Sequence, residues 1–135
     1  MSPTSPRRRI LIIEDEPSIR NILYVLLAGL DCESEIAHSG KQALGMISRE
    51  SFDAVLLDLR STQVPAETMV AEIKQISPSL VGRVLVITGE VTDPDTLEWI
   101  EGQCLTPVAG NRLMSDLWGR LQVLLGLAPP AAHRT

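Results

Sequence analysis

Short apolar runs alternating with helical stripes constrain this chain more than any other feature. RILII at 9–13, ESEIA at 33–37, DAVLL at 53–57, RVLVIT at 83–88 and the weaker QCL at 103–105 read as strands. Three of these are nearly continuously apolar, the pattern of strands covered on both faces. Between them, Ile19, Ile22, Leu23, Leu27 and Leu30 recur at helical spacing, as do Ala43, Leu44 and Ile47. A third stripe holds Met69, Ile73 and Ile76, and the last holds Leu113, Leu117, Leu121 and Leu124. Each gives a helix one apolar face to lay on a sheet. Start signals agree with the stripes: Ser39 with Gln42 three residues on resembles a capping box, and Asp93 precedes Pro94 as an N-cap precedes a first-turn proline. Pro17 takes the same position in the first helix. The order βαβαβαβαβα predicts a parallel sheet between two helical layers.

Composition sets the class. At 135 residues, 44% hydrophobic and 21% charged, the chain is one globular domain able to bury a core. A net charge of -5 gives no whole-chain electrostatic case for nucleic acid. The longest apolar stretch, ILYVLLAGL at 22–30, is far short of the roughly 20 residues that cross a membrane. The opening MSPTSPRRRILII is not read as a signal peptide, because Glu14, Asp15 and Glu16 end its apolar run after four residues. Cys32 and Cys104 lack metal or redox spacing and are expected to be thiols in a cytoplasmic protein. Residues 1–8 and 128–135 are expected to be disordered tails around a domain at 9–127, and the arginines at 7–9 a solvated lead into the first strand.

In an open parallel sheet, ligands bind beyond the carboxyl ends of the strands, where strand order reverses. On this reading the first strand ends at Glu14 and Asp15, the third at Asp58, the fourth at Thr88 and the fifth near Thr106, all on one edge. Three carboxylates gathered there repel by about 4 kcal/mol per pair at 4 Å and an effective dielectric near 20. An oxygen-rich cluster with a wet rim is also what magnesium prefers, so a cation is one way to offset that repulsion and protonation another.

The stretches ILIIEDEP, VLLDLR and VLVITGE, in this order and at these separations, resemble the receiver domain of bacterial two-component response regulators. The resemblance covers roughly residues 8–125 and implies a flavodoxin-like (βα)5 sandwich with a five-stranded parallel sheet of order 2-1-3-4-5. It implies that Asp58 takes a phosphoryl group from the phosphohistidine of a sensor histidine kinase or phosphotransfer protein. By the same resemblance Mg2+ is held by Glu14, Asp15, Asp58 and the backbone carbonyl of Arg60, and Thr88 hydrogen-bonds the phosphoryl group and acts as the switch. A homodimer through the last two helices and fifth strand is a further expectation; nucleic acid and membrane partners are not expected.

Departures from the family pattern weigh against full switching. The family's fifth strand ends in Lys-Pro, whereas this chain reads CLTPVAG, with Thr106 at the lysine position and Pro107, expected after a cis bond, at the proline position. A hydroxyl does not replace an ammonium. RSTQVPAET lacks the loop's usual Met-Pro and glycine, and Gln103 stands where many members carry an aromatic residue. The alternative is therefore a receiver-like interaction module that works without phosphorylation. An aspartate-nucleophile phosphatase is disfavoured, because Arg60 occupies the place of its general acid. Trp99 and Trp118 fall on the last two helices, with one expected in the core.

Overall fold

The computed structural model describes residues 8–14, 16–59, 65–88, 93–103, 105–109 and 113–126, with backbone alone at 113 and 114. Strands and helices alternate along the chain: β1 (Arg8–Ile13), α1 (Pro17–Gly29), β2 (Cys32–Ala37), α2 (Gly40–Arg49), β3 (Ala54–Asp58), α3 (Ala66–Ile76), β4 (Val84–Thr88), α4 (Pro94–Gly102), β5 (Thr106–Ala109) and α5 (Leu113–Leu125). Every strand pairing is parallel, in the order β2-β1-β3-β4-β5. This is the flavodoxin-like sheet expected, with its reversal of order between β1 and β3.

The apolar runs become strands because both of their faces are covered. Every residue of β3 and β4 is buried. Side chains alternate across a strand, so Leu11, Ile13, Val55, Leu57, Val84 and Val86 pack with α2, α3 and Ile100 of α4. Ile10, Ile12, Ala54, Leu56, Leu85 and Ile87 pack with α1 and α5. Each buried Leu or Ile contributes roughly 1.5–3 kcal/mol. Two apolar layers thus hold the sheet rigid and fix what stands at its ends. Among the described residues, no helix is long and apolar enough to cross a membrane.

Helix starts follow the local signals. Ser39 Oγ accepts the Gln42 amide at 3.1 Å, and Gln42 Oε1 accepts the His38 amide at 2.6 Å, a capping box displaced by one residue on its return arm. Asp93 accepts from the Thr96 amide at 2.8 Å and the Thr96 hydroxyl at 3.1 Å. Those bonds, the amide's first, hold the Asp93 carboxyl below the usual carboxylate range. Trp99 is half-buried against the α2–α4 side of the core, and Trp118 is half-buried on α5. The Trp118 indole N–H and the Gln122 amide nitrogen, one turn apart on α5, are buried with no hydrogen-bond partner among the described residues.

Arg9 departs from the solvated role expected of it. Its guanidinium donates to Glu50 at 2.7 Å and to the Ser51 carbonyl at 3.0 Å, lies 3.5 Å from Glu35 and 3.9 Å from Glu33, and sits 4.7 Å over the Phe52 ring. The hydrogen bond to Glu50 is the main cause of its raised pKa. One side chain therefore ties β1, β2 and the α2–β3 loop together at the amino edge of the sheet.

The fifth strand lies later than the sequence predicts. The QCL segment at 103–105 is not a strand: Gln103 caps α4, and the Leu105 amide bonds the Ile100 carbonyl at 3.1 Å. The apolar character of Leu105 serves packing beneath α4, where it is 5% exposed. Cys104 lies outside the described residues. Pro107 sits inside β5, opposite Val86, tolerated because β5 is the sheet's edge strand. No described peptide bond is cis, so the bond before Pro107 is trans, contrary to expectation.

Candidate functional site

Among the described residues, the buried polar or charged side chains are Glu14, Asp58 and Thr88, at 2%, 2% and 4% exposure. All three stand at the carboxyl edge of adjacent central strands. Ile13 pairs with Leu57, so Glu14 leaves β1 level with Asp58, the last residue of β3. Asp58 in turn pairs with Ile87, which sets Thr88 one step further along β4. Neighbouring strands run about 4.8 Å apart. The strand order therefore gathers two carboxylates and a hydroxyl that lie 30 to 74 positions apart in sequence.

Local bonds hold these groups. Glu14 Oε2 accepts the Glu16 amide at 3.1 Å, at the N-cap of α1. The Thr88 hydroxyl donates to the Val108 carbonyl of β5 at 3.5 Å, the outer limit of a hydrogen bond. The Leu59 amide bonds the Ile87 carbonyl at 3.1 Å, extending the ladder one residue past Asp58. The backbone around Asp58 is thereby held to β4 up to the end of the strand. On the rim, Arg20 Nη1 donates to His38 Nδ1 at 2.9 Å, a pair that no motif announces.

Asp15 and Arg60, the other expected metal ligands, lie outside the described residues. Glu14 and Asp58 fit a hard cation: both offer carboxylate oxygens, both are shielded from water, and they share one edge.

Thr106 is not at that edge. It opens β5 opposite Leu85, whereas Ala109 lies opposite Thr88. Three residues separate the two levels, about 10 Å along a strand. The expectation that Thr106 takes the lysine position rests on matching Pro107 to the family's proline; in the sheet the residue level with Thr88 is Ala109. Within β5 itself, Thr106, Pro107, Val108 and Ala109 carry no charge.

An open parallel sheet with buried carboxylates at its switch point defines a doubly wound protein that handles its ligand at one strand edge. Residues 10–106 match the response regulator receiver domain, and the chain belongs to that family. It is 33% identical over 112 residues to the transcriptional regulatory protein ZraR of Salmonella typhimurium, covering 80% of this chain and 25% of that protein. Against a response regulator receiver protein of Anaeromyxobacter it is 36% identical over 92 residues, 67% of this chain and 37% of the other. The chain thus spans well under half the length of these curated relatives. Among solved structures, the adenylate cyclase of Rhodopirellula baltica superposes with a TM-score of 0.77 at 27% identity over 90% of this chain and 89% of that one. A putative response regulator of Chloroflexus aurantiacus gives 0.78 at 21% identity over 90% and 99%, a likeness of fold. Receiver domains of two-component systems are phosphorylated on an aspartate, generally bind Mg2+ there, and interact with histidine kinases or phosphotransfer proteins. The family match ends at Thr106, where β5 begins.

Proposed function

We propose that Asp58 is the phosphoacceptor of this receiver domain. The observation that carries the reading is its burial at the end of β3, between Glu14 on β1 and Thr88 on β4. A carboxylate oxygen of Asp58 attacks the phosphorus of a phosphohistidine. The P–N bond breaks as the P–O bond forms, and the nitrogen keeps the electron pair. Pinning by the strand ladder supplies the in-line alignment that this transfer needs. Glu14, Asp15 and Asp58, with the Arg60 carbonyl, would hold Mg2+. When bound, that ion neutralises charge on the transferring group. The donor is a sensor histidine kinase or a phosphotransfer protein, met in the cytoplasm.

Thr88 reads the result. Its hydroxyl exchanges the long bond to Val108 for one to a phosphoryl oxygen. A charge-assisted hydrogen bond is worth about 1.5–3 kcal/mol against about 1 for a neutral one. The gain, about 1 kcal/mol, shifts a two-state equilibrium roughly fivefold, against the 5.5 kcal/mol or so of a complete swing. Thr88 alone therefore gives a partial switch.

Incubation with acetyl phosphate and Mg2+ tests the proposal by intact mass. Uptake of one phosphoryl group that Asp58→Asn abolishes is expected. No uptake at any magnesium concentration would instead favour an interaction module that works without phosphorylation.

A further inference from the structure

Between Arg83 and Arg112 the chain has no lysine or arginine but carries Glu90, Asp93, Asp95, Glu98 and Glu101. The whole chain has 17 acidic and 12 basic residues, so without these five it is balanced at 12 against 12. The net charge is thus concentrated on α4 and the segments joining it to the sheet. The described ion pairs engage Arg8 and Arg9 at the far edge of the sheet, and none reaches α4.

This acidic helix borders a groove of about 450 Å3 against the start of α3. Leu59, Ala66 and Trp99 give it apolar walls, while Glu67 at the start of α3 and Asp95 at the start of α4 stand on its rim. Both rim acids are exposed, and Trp99 is half-buried. An indole face flanked by two carboxylates matches an ammonium or guanidinium on an aliphatic stem: the stem meets the apolar wall, the cation meets ring and acids.

We propose that the α3–α4 groove is a docking surface for a lysine- or arginine-rich segment of a partner protein. Charge complementarity selects this occupant. Nucleic acid is repelled by the acidic helix. A second copy is disfavoured too, because a two-fold interface sets a patch against itself and would bring α4 carboxylates together. Leu59, next to Asp58, lines the groove, but the carboxylates on its rim, Glu67 and Asp95, are present before any phosphoryl group arrives. Docking therefore occurs in the unmodified protein, and it stands apart from the phosphoacceptor reading.

The test titrates the unphosphorylated protein with a short peptide of alternating arginine and serine, followed by amide chemical shifts, with a glutamate-for-arginine peptide as control. Shifts centred on Glu67, Asp95 and Trp99 are expected, together with weakening by about tenfold in a Glu67→Gln/Asp95→Asn double variant. A Glu72→Gln/Glu101→Gln double variant, which loses the same charge outside the groove, should change affinity less than about twofold, and binding should persist in Asp58→Asn. Equal weakening by both double variants, no binding, equal binding of the acidic peptide, self-association through α4, or binding only after phosphorylation would each overturn the proposal. The last result would leave Asp58 as the phosphoacceptor intact.

Discussion

Replacing Asp58 by asparagine should make the metal-free domain more stable, an unusual outcome for a change at a buried position. Asp58 and Glu14 are each 2% exposed and end paired strands at one level. Two unit charges about 5 Å apart repel by about 3 kcal/mol at an effective dielectric near 20. Asparagine keeps the shape of the side chain and removes one charge, exchanging an acceptor oxygen for an amide donor. Part of the relief is offset by bonds made to the carboxylate, leaving a net gain of about 1–2 kcal/mol. For a domain of this size that raises Tm by roughly 3–10 °C. Thermal unfolding with and without magnesium reads both halves of the argument. At ten times its Kd, Mg2+ adds about 1.4 kcal/mol to the parent protein, and it should add almost nothing to the variant. A variant that unfolds at lower temperature than the parent, with its magnesium increment intact, would show that the two carboxylates do not share a site.

Four further outcomes follow from other parts of the molecule. Thr88→Ala should still take up a phosphoryl group from acetyl phosphate, but with a smaller change in Trp99 and Trp118 fluorescence than the parent shows. Arg9→Ala, which removes the hydrogen bond to Glu50 and the stacking on Phe52, should lose about 1–2 kcal/mol in urea unfolding, a loss that shrinks at high salt. The Asp93 carboxyl is held below its ordinary value of 3.8, so its charged form favours the folded state. That contribution is present above the unfolded value and disappears as pH falls through the lower folded one; amide exchange in α4 should show it, and Asp93→Asn should remove the pH dependence. Gln122→Leu, by deleting a buried amide nitrogen that lacks a partner among the described residues, should stabilise the domain by about 1 kcal/mol.

What the sequence made legible was whatever a local pattern encodes. β1, β3 and β4 are read from continuous apolar runs because both of their faces are buried, and Ser39 and Asp93 are read from the side chains that cap α2 and α4. Asp58 stands out because a lone carboxylate ends a strand with no polar position in it. β5 was misplaced because Leu105 looks like strand core while packing under α4, and because a proline inside a strand is readable only once that strand is known to be an edge. The position of Thr106 relative to the site depends on the register of β4 with β5, which sequence spacing does not encode. Arg9 with Glu33, Glu35 and Glu50, and Arg20 with His38, join residues across strands and loops, so no local window contains them.

The two outer strands have a consequence for how the protein behaves in a crowded solution. β5 is four residues long and includes a proline that lacks an amide hydrogen, and β2 carries Glu33 and Glu35. Short length, a missing donor and repeated charge are all features that discourage a stray extended chain from adding to a sheet. The molecule can accordingly reach high local concentration, or be tethered beside identical neighbours, without its strands zipping into a continuous ribbon.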